Sequence, residues 1–426
     1  MNDPNSQLIE TWKRTRSAFM WTRVLNTPFW AIYNMLPYII YKDLHATPLQ
    51  ITTIIILKPT VSLIALYWGA LVEKRKDRLI ANIVWGRILG HIPFFFFPFI
   101  NNPWFFIFAF GFYMMLSRGS EPAWMEILKL NIPNASRERT FAYGSAAGYL
   151  GTATLPFALG GLMDSYADAW RWIFVVAALI STAAIFCKWK IPIQLDNPPS
   201  QKSHPPPPRT SLINLLVTPW KSAFKLVAKY PNFRHYQLGF MLGGGGLIIM
   251  QPALPVFFMD NLKLTYTELA VALTLFKGIG FAITSPAWAK LIQKFNIYDF
   301  NGVVTFFAVL FPLCLIGAQY DLIWLYSGYL LYGIMQAGSE MSWSLSGPIF
   351  AKNEDSSAYS NVNILAVGLR GCFFPIVGTT LMYSIHATGV MFIGAALSFL
   401  STMCMKYYGN KHFPHADTAV DKKSSA

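Results

Sequence analysis

Ionisable residues recur inside long apolar stretches of this 426-residue sequence, and they recur at a fixed separation. Lys58 and Lys277 are 219 positions apart, and so are Glu121 and Glu340. A charged group at the centre of a membrane span costs at least ~2.5–3.5 kcal/mol, so each of these residues is a functional candidate. Two lysines facing one cavity would attract an anion, whereas buried carboxylates would carry a proton or hold a substrate.

The depth of these residues supports the same interpretation. Lys58 and Lys277 follow the threonines that begin their segments by eleven and twelve residues. At about 1.5 Å per helical residue, both lysines lie near the middle of a membrane about 30 Å thick. Arg370 falls at a similar depth and Arg118 somewhat closer to the inner face. We therefore add both arginines to the candidates for binding a substrate or for coupling its movement.

The charges inside the apolar segments do not balance. Five cations and three acids leave a net charge of +2: Lys58, Arg87, Arg118, Lys277 and Arg370 against Glu121, Glu126 and Glu340. This excess predicts an anionic small-molecule substrate, with protons as a further partner of the glutamates. Internal pairing is the alternative. In that case Arg118, Arg87 or Lys58 neutralises Glu121, and Arg87 also pairs with Glu126 near the inner surface.

The composition excludes a soluble protein and places the chain in lipid. Hydrophobic residues make up 54% of the sequence and charged residues 13%, whereas soluble domains carry about 25% charged residues. The net charge of +14 is then assigned to basic cytoplasmic loops, and we expect no nucleic acid partner. The four cysteines form no CxxC spacing, so neither a metal site nor a disulfide framework is predicted. No cofactor is expected.

Twelve apolar segments predict an all-α integral membrane protein with twelve transmembrane helices. The first six cover approximately 22–41, 48–72, 79–100, 103–128, 140–164 and 170–189, and the second six cover 236–259, 266–291, 300–318, 322–347, 358–383 and 387–407. With these boundaries, 26 of the 34 Lys and Arg residues fall on one side. Because cytoplasmic loops are rich in basic residues, we expect a multi-pass protein of the plasma (inner) membrane with both termini cytoplasmic.

An internal repeat divides the chain into two pseudo-symmetric six-helix bundles. The segment Gly119–Trp124 matches Gly338–Trp343 at four of six positions. Thr47 and Thr265, 218 residues apart, both begin predicted capping boxes. The predicted domains are a cytoplasmic N-terminus (1–21), an N-terminal bundle (22–189), a linker (190–235), a C-terminal bundle (236–408) and a disordered tail (409–426).

The linker combines a proline-rich part with an amphipathic part. Lysines at 221, 225 and 229 are spaced four residues apart among apolar residues, which is typical of a helix lying on the inner leaflet. A solvated linker helix is the alternative. The glycines at 243–246, followed by prolines at 252 and 255, predict either a helix that bends or a site of close packing.

The connection after the second segment, 69–78, joins a glycine and an acid to clustered bases. Together with the repeat and the long linker, it resembles the loop motif of the major facilitator superfamily, with Glu73 in place of the usual aspartate and without the second glycine. Weaker similarities occur at 137–139, 170–174 and 288–294. The resemblance covers essentially the whole chain and implies a gating loop, although 73–78 are alternatively only a positive anchor. The implied gating residues are Gly69, Glu73, Lys74, Arg75 and Arg78.

These observations predict a secondary transporter that moves a small, anionic solute by alternating access, coupled to protons or to exchange. The sequence contains no GxxxxGK motif for ATP and no nucleophile–base arrangement, so we expect no enzymatic activity. Two alternatives remain open. One is a proton-coupled transporter of neutral or cationic compounds such as sugars or drugs. The other is a transporter-like membrane receptor or scaffold that moves no solute.

Overall fold

The computed structural model describes residues 4–74, 78–132, 155–189, 191, 212–351 and 356–413, and within these ranges the chain forms helices and no strand. Five helical stretches in the described residues are long and apolar enough to cross a membrane: Leu79–Phe99, Pro231–Asn261, Tyr266–Lys294, Ile297–Gly317 and Ala358–His412. Two further apolar helices, Pro48–Leu63 and Ala169–Ile185, are shorter. Six of these seven stretches each match one predicted segment, and Ala358–His412 covers the last two.

The first half contains seven helices in its described part. These are α1 (Pro4–Tyr33), α2 (Leu36–Leu44), α3 (Pro48–Lys74), α4 (Leu79–His91), α5 (Pro103–Asn131), α6 (155–165) and α7 (Ala169–Trp189). A 3-10 turn, Ile92–Phe99, continues α4. The first predicted segment is therefore divided between α1 and α2, and residues 140–154 of the fifth lie outside the described ranges.

The second half begins with the linker helix and continues with the helices of the C-terminal segments. These are α8 (Leu212–Lys229), α9 (Pro231–Ile249), α10 (Ala253–Val256), α11 (Tyr266–Ala270), α12 (Lys277–Lys294), α13 (Ile297–Gly317), α14 (Leu322–Ala351) and α15 (Ser356–His412). Short π-helical turns follow α10 and connect α11 to α12. At His386, φ is 59° and ψ is 173°, which breaks α15 between the last two predicted segments.

The two threonines that begin repeat-related segments both form the predicted capping boxes. Thr265 Oγ1 accepts a hydrogen bond from the Glu268 amide, and the Glu268 carboxylate accepts one from the Thr265 amide at 2.9 Å. Thr47 and Gln50 exchange the same pair of bonds, at 3.4 Å and 2.8 Å. These bonds satisfy helix N-terminal amides that otherwise lack partners. Both helix starts are therefore fixed by local sequence.

The backbone separates into two compact units. Unit 1 comprises Met1–Arg209 and Pro255–Leu275, and unit 2 comprises Thr210–Leu254 and Phe276–Ala426. In unit 1, Asp164 at the end of α6 accepts hydrogen bonds from the amides of Tyr266 and Thr267, at 2.7 and 2.8 Å. A carboxylate at a helix N-terminus is favourable for the free amides and the helix dipole. This contact attaches α11 to unit 1. The domain boundaries drawn from the sequence stay predictions.

The glycines of α9 act in packing. The helix continues through 243–246 without interruption and ends at Ile249, before Pro252. A Cβ at Gly244 would overlap the guanidinium of Arg370, and one at Gly246 would lie 2.5 Å from the Gly394 carbonyl oxygen. Of the two alternatives drawn from the sequence, the close-packing one applies to the glycines, and the interruption comes after them.

Candidate functional site

A cavity in unit 1 brings together charged side chains from α1, α4 and α5. Its volume is about 200 Å³. The residues that line it are Phe19, Thr22, Arg23, Asn26, Trp30, Ile83, Arg87, Ser117, Arg118, Ser120, Glu121 and Trp124. We call it the arginine cavity. Among these lining residues are three guanidinium groups and one carboxylate, so the cavity has a net formal charge of +2.

Helical periodicity explains how each helix presents its side chains. On α1 the lining positions are 19, 22, 23, 26 and 30, and on α5 they include 117, 120, 121 and 124. Residues three or four apart share one face of a helix, so each set forms a single stripe. Phe19 and Trp124 pack edge to face across the two helices with ring centroids 5.7 Å apart. This aromatic contact fixes the two stripes against each other.

Glu121 is partly neutralised by an arginine from α1. Arg23 Nη2 lies 3.8 Å from Glu121 Oε1, and the Arg23 guanidinium carbon lies 5.1 Å from the centre of the Phe19 ring. The side chains are 34% and 41% exposed, so water weakens this ion pair. The alternative of internal pairing names Arg118, Arg87 or Lys58 as the group that neutralises Glu121. The structure instead pairs Glu121 with Arg23.

Arg87 points to the same cavity and does not form the predicted structural pair with Glu126. Its Nη1 donates a hydrogen bond to the Tyr113 hydroxyl at 3.4 Å, and it is half-buried. His91, one turn further along α4, donates from Nδ1 to the Arg87 carbonyl oxygen at 2.7 Å. Because Tyr113 is fully buried in the aromatic core of unit 1, this contact anchors the arginine without neutralising it. The charge of Arg87 therefore remains available to the cavity.

Arg118 is the most exposed of the three arginines that line the cavity. Its guanidinium forms no hydrogen bond or ion pair with another described residue. Lys58, the other predicted cation of unit 1, belongs to a helix that packs against α5. Lys58 itself is in α3 and outside the lining of the cavity. The two groups reinforce a positive field that an anion would reduce.

Arg370, the predicted site residue of α15, is held within unit 2. Its Nη1 donates to the Phe240 carbonyl oxygen at 2.6 Å, and its guanidinium carbon lies 4.4 Å from the centre of the Phe240 ring. Its Nε is buried and has no hydrogen-bond partner among the described residues. No carboxylate in the described residues pairs with it. Arg370 is thus a half-buried cation with donor capacity left over.

A buried network of uncharged polar side chains lies near Arg370 in unit 2. Ser342 shares a hydrogen bond of 2.7 Å with the Tyr236 hydroxyl and donates to Asn301 at 3.0 Å. Gln237 donates to Asn363 at 2.6 Å. Gln237 Oε1 and Asn301 Nδ2 have no partner among the described residues. A buried polar group without a partner costs about 1–3 kcal/mol, so a water or a solute group is expected there.

The two remaining predicted site residues, Lys277 and Glu340, both lie in unit 2. Lys277 begins α12, and its Nζ lies 5.2 Å from the centre of the Tyr332 ring. Glu340 lies on α14 with an exposed side chain. The pairing of Lys58 with Lys277 and that of Glu121 with Glu340 stay predictions.

The gating loop falls largely outside the described part. Gly69 and the backbone of Glu73 and Lys74 belong to the end of α3, while Arg75 and the side chains of Glu73 and Lys74 lie outside the described residues. Arg78 occupies the position before α4 and is exposed. The gating role of these residues therefore stays a prediction.

One functional candidate, Arg23, was absent from the sequence prediction. It is counted there with the basic residues of the cytoplasmic side, although the first predicted segment, 22–41, begins one residue before it. The structure begins α1 at Pro4, so Arg23 lies deep within a helix. The signal that identifies it is the spacing of Phe19, Thr22, Arg23 and Asn26, which places all four on one helical face.

Comparisons with known proteins agree with the helical architecture. The protein-family model described as Major Facilitator Superfamily matches residues 24–375 of this chain. The sequence has no match among curated proteins. A solved structure of the nucleoside transporter NupG is 14% identical, with a TM-score of 0.70 over 92% of this chain and 98% of that chain.

Two further solved structures show the same likeness. A POT family transporter in complex with 5-aminolevulinic acid is 12% identical, with a TM-score of 0.71 over 93% of this chain and 96% of its own. A bacterial homolog to the human lysosomal transporter Spinster, in an inward-facing and unoccupied conformation, is 13% identical, with a TM-score of 0.60 over 97% of both chains. At such identities the likeness concerns the fold.

Proposed function

This chain belongs to the major facilitator superfamily of secondary transporters, and from that premise we propose that it carries a small anionic solute across the membrane by alternating access. The observation that carries this proposal is the arginine cavity. Its lining contains three arginines, Arg23, Arg87 and Arg118, and one carboxylate, that of Glu121. The solved structures of the same fold are named for nucleosides, a peptide conjugate and 5-aminolevulinic acid. The fold alone therefore leaves the substrate class open, and the local charge supports an anion.

The size of the cavity favours a small solute. Its volume of about 200 Å³ is below the roughly 300–1,000 Å³ of pockets that hold drug-sized ligands. Guanidinium groups bind carboxylate or phosphate oxygens through paired, charge-assisted hydrogen bonds. Ser117, Thr22 and Asn26 supply uncharged hydrogen-bonding groups on the same walls. The class of substrate that we propose is therefore a small carboxylate, phosphate or similar anion.

Arg118 is proposed as the principal substrate ligand because its donors are not engaged by other described residues. Arg87 contributes charge while Tyr113 holds it in place. Glu121 compensates one of the three cations when the cavity is empty, through Arg23. Lys58, Lys277 and Arg370 are proposed to add positive charge along the solute's path, and Glu121 and Glu340 remain candidates for proton coupling.

The proposal is tested by ligand binding to the purified protein. A thermal-shift screen compares small anions (phosphate, sulfate, mono- and dicarboxylates) with nucleosides, sugars and amines. We expect stabilisation by at least one anion. We expect Arg118→Gln to weaken its affinity about tenfold or more, because a hydrogen bond to a charged group contributes about 1.5–3 kcal/mol. The matched control is Arg234→Gln, which removes an exposed arginine that does not line the cavity.

Two results would contradict the anion proposal. One is stabilisation by neutral or cationic compounds only, which would favour the sugar or drug alternative. The other is equal anion affinity in Arg118→Gln and Arg234→Gln. Proteoliposomes then separate coupled uptake, which requires a pH gradient, from exchange, which requires solute on both sides. A ligand that binds but shows no counterflow in these vesicles would indicate a receptor or scaffold.

We also propose that both termini are cytoplasmic and that the protein resides in the plasma (inner) membrane. The support is the distribution of Lys and Arg, of which 26 of 34 fall on one side under the twelve-segment arrangement.

A further inference from the structure

Helix α8, which connects the two repeats in sequence, is packed against unit 2 along one face. Ala223, Leu226 and Val227 contact a cluster of buried residues that includes Phe233 of α9 and Tyr359 of α15. Their spacing of three, four and one places them on one side of the helix. α8 is therefore docked on the bundle formed by α9, α14 and α15 rather than being held away from it.

A second apolar stripe on α8 is left uncovered by this docking. Val217 is 50% exposed and Phe224 is 67% exposed, and Trp220 lies between them at helical spacing. This stripe is displaced by roughly a quarter of a turn from the face that packs on the bundle, at about 100° per residue. Large apolar side chains at such exposure would be unfavourable for a helix surrounded by water.

The uncovered stripe forms one wall of an apolar groove. The groove has a volume of about 150 Å³. Its lining residues come from α8, α9 and α15: Trp220, Ala223, Phe224, Val227, Gln237, Met241, Val362, Leu365, Ala366 and Leu369. Nine of these ten are apolar, and the walls present almost no polar atoms. Such a groove accepts a hydrocarbon chain rather than a hydrogen-bonding solute.

Positive charge lies directly beside the groove. Lys221 and Lys225 follow Trp220 and Phe224 in the sequence, and both lysines are exposed. On the helix they form the stripe next to the apolar wall, on the side away from the bundle. A molecule with an apolar tail in the groove would thus have its polar end beside two ammonium groups. An anionic head complements them, and a neutral or cationic head does not.

We propose that this groove is a binding site for an anionic phospholipid of the bilayer, with an acyl chain between α8 and α15 and the phosphate of the headgroup at Lys221 and Lys225. The site is independent of the arginine cavity and of the proposed substrate. Of the two alternatives for the linker helix, this proposal favours the one on the membrane surface. Helix α8 joins the two repeats in the sequence. The bound lipid holds this helix in its docked position on α9, α14 and α15.

Native mass spectrometry of the full-length protein tests the site with phosphatidylglycerol and phosphatidylcholine of identical acyl chains. We expect the wild type to retain phosphatidylglycerol severalfold more than phosphatidylcholine. Lys221→Gln/Lys225→Gln loses this headgroup preference. The matched control is Lys290→Gln/Lys294→Gln, which removes two exposed lysines with the same spacing from α12, away from any described groove residue, and it retains the preference.

A second variant tests the acyl-chain part of the site. Ala366→Phe fills the groove and leaves both lysines in place, so it should lower retention of both lipids. Monodispersity in size-exclusion chromatography confirms that each variant is folded. Equal retention of the two lipids by the wild type, an equal loss in the α12 control, or unchanged retention in Ala366→Phe would each overturn the proposal. A lipid-independent dimer that Ala366→Phe dissociates would assign the groove to a second copy of the chain instead.

Discussion

At the scale of single residues, the three arginines of the cavity differ in how their charge is compensated. Arg23 is 3.8 Å from the Glu121 carboxylate, and Arg87 is hydrogen-bonded to the Tyr113 hydroxyl. Arg118 has neither kind of partner among the described residues, and another cation, Lys58, lies on α3, which packs against α5. A nearby carboxylate compensates the charge of an arginine more strongly than a distant one, because the Coulomb energy falls with separation and with the dielectric constant. Binding of an anion therefore gains most at Arg118.

The lysines predicted from the repeat give a second test at this scale. Lys58→Gln and Lys277→Gln are each expected to abolish uptake of the anion while leaving membrane insertion intact. Each lysine is a cation near the middle of the membrane, where it attracts the anion and is unfavourable when no anion is bound. Uptake is measured in proteoliposomes with equal amounts of reconstituted protein. The exposed Lys263→Gln, at a connection between segments, is the matched control. Normal uptake in both lysine variants would refute their role in the anion path.

At the scale of helices, the internal repeat appears as a repeated packing contact. A Cβ at Gly119 of α5 would lie 2.7 Å from the Trp68 ring of α3, and one at Gly338 of α14 would lie 3.0 Å from the Trp288 ring of α12. In unit 1, the glycine that begins the repeated motif accommodates a tryptophan of the second predicted segment. In unit 2, the corresponding glycine accommodates a tryptophan of the eighth. Small residues permit this close approach of helices. The sequence match at these positions thus reflects packing as well as ancestry of the repeat.

The crossing of α9 and α15 gives a prediction about stability. Gly246→Ala is expected to destabilise the protein by about 1–3 kcal/mol, because a methyl group there would lie 2.5 Å from the Gly394 carbonyl oxygen of α15 and an overpacked backbone contact must shift. The change is measured as a lower midpoint of thermal unfolding in detergent. Gly302→Ala in α13 is the control, since its nearest neighbour, Met405 Cβ, would be 3.6 Å away. Replacing a helical glycine by alanine where the new methyl group meets no clash should stabilise the protein by about 0.5–1 kcal/mol. An unchanged midpoint for Gly246→Ala would contradict the predicted close contact between α9 and α15.

At the scale of the whole molecule, the all-α, twelve-helix integral membrane architecture expected from the sequence is confirmed by the family match. The break at His386 separates the last two helices at the predicted connection. Lipid leaves every backbone amide and carbonyl to be satisfied within the chain, so an apolar span must be helical here. Hydropathy consequently determines the architecture almost directly.

The orientation of the molecule in the membrane is tested with reporters. A fluorescent protein fused after Ala426 is expected to fold and fluoresce, because the C-terminus is predicted to be cytoplasmic. Alkaline phosphatase at the same position should be inactive. The matched control places each reporter after Tyr320, a residue 90% exposed between α13 and α14, where the outcomes should be reversed. Active phosphatase at the C-terminus would show that the orientation is wrong.

Local patterns determined how much of the protein the sequence predicted. Apolar segments and the capping boxes at Thr47 and Thr265 each depend on residues within a few turns of helix, and the structure contains both boxes. The repeat is recognised by comparing two such local patterns 218–219 residues apart. The net positive charge inside the segments was likewise a matter of counting. Sequence alone therefore determined the membrane location, the helices, the family and the expectation of an anion.

Only the tertiary structure decided which charges share a cavity. Placing Arg23 and Arg87 beside Arg118 and Glu121 depends on the rotation of α1, α4 and α5 about their own axes, which is set by contacts such as Phe19 with Trp124. Those contacts join positions about a hundred residues apart, and no local periodicity specifies them. The sequence could list the ionisable residues of the membrane segments. Side-chain packing selected which of them meet.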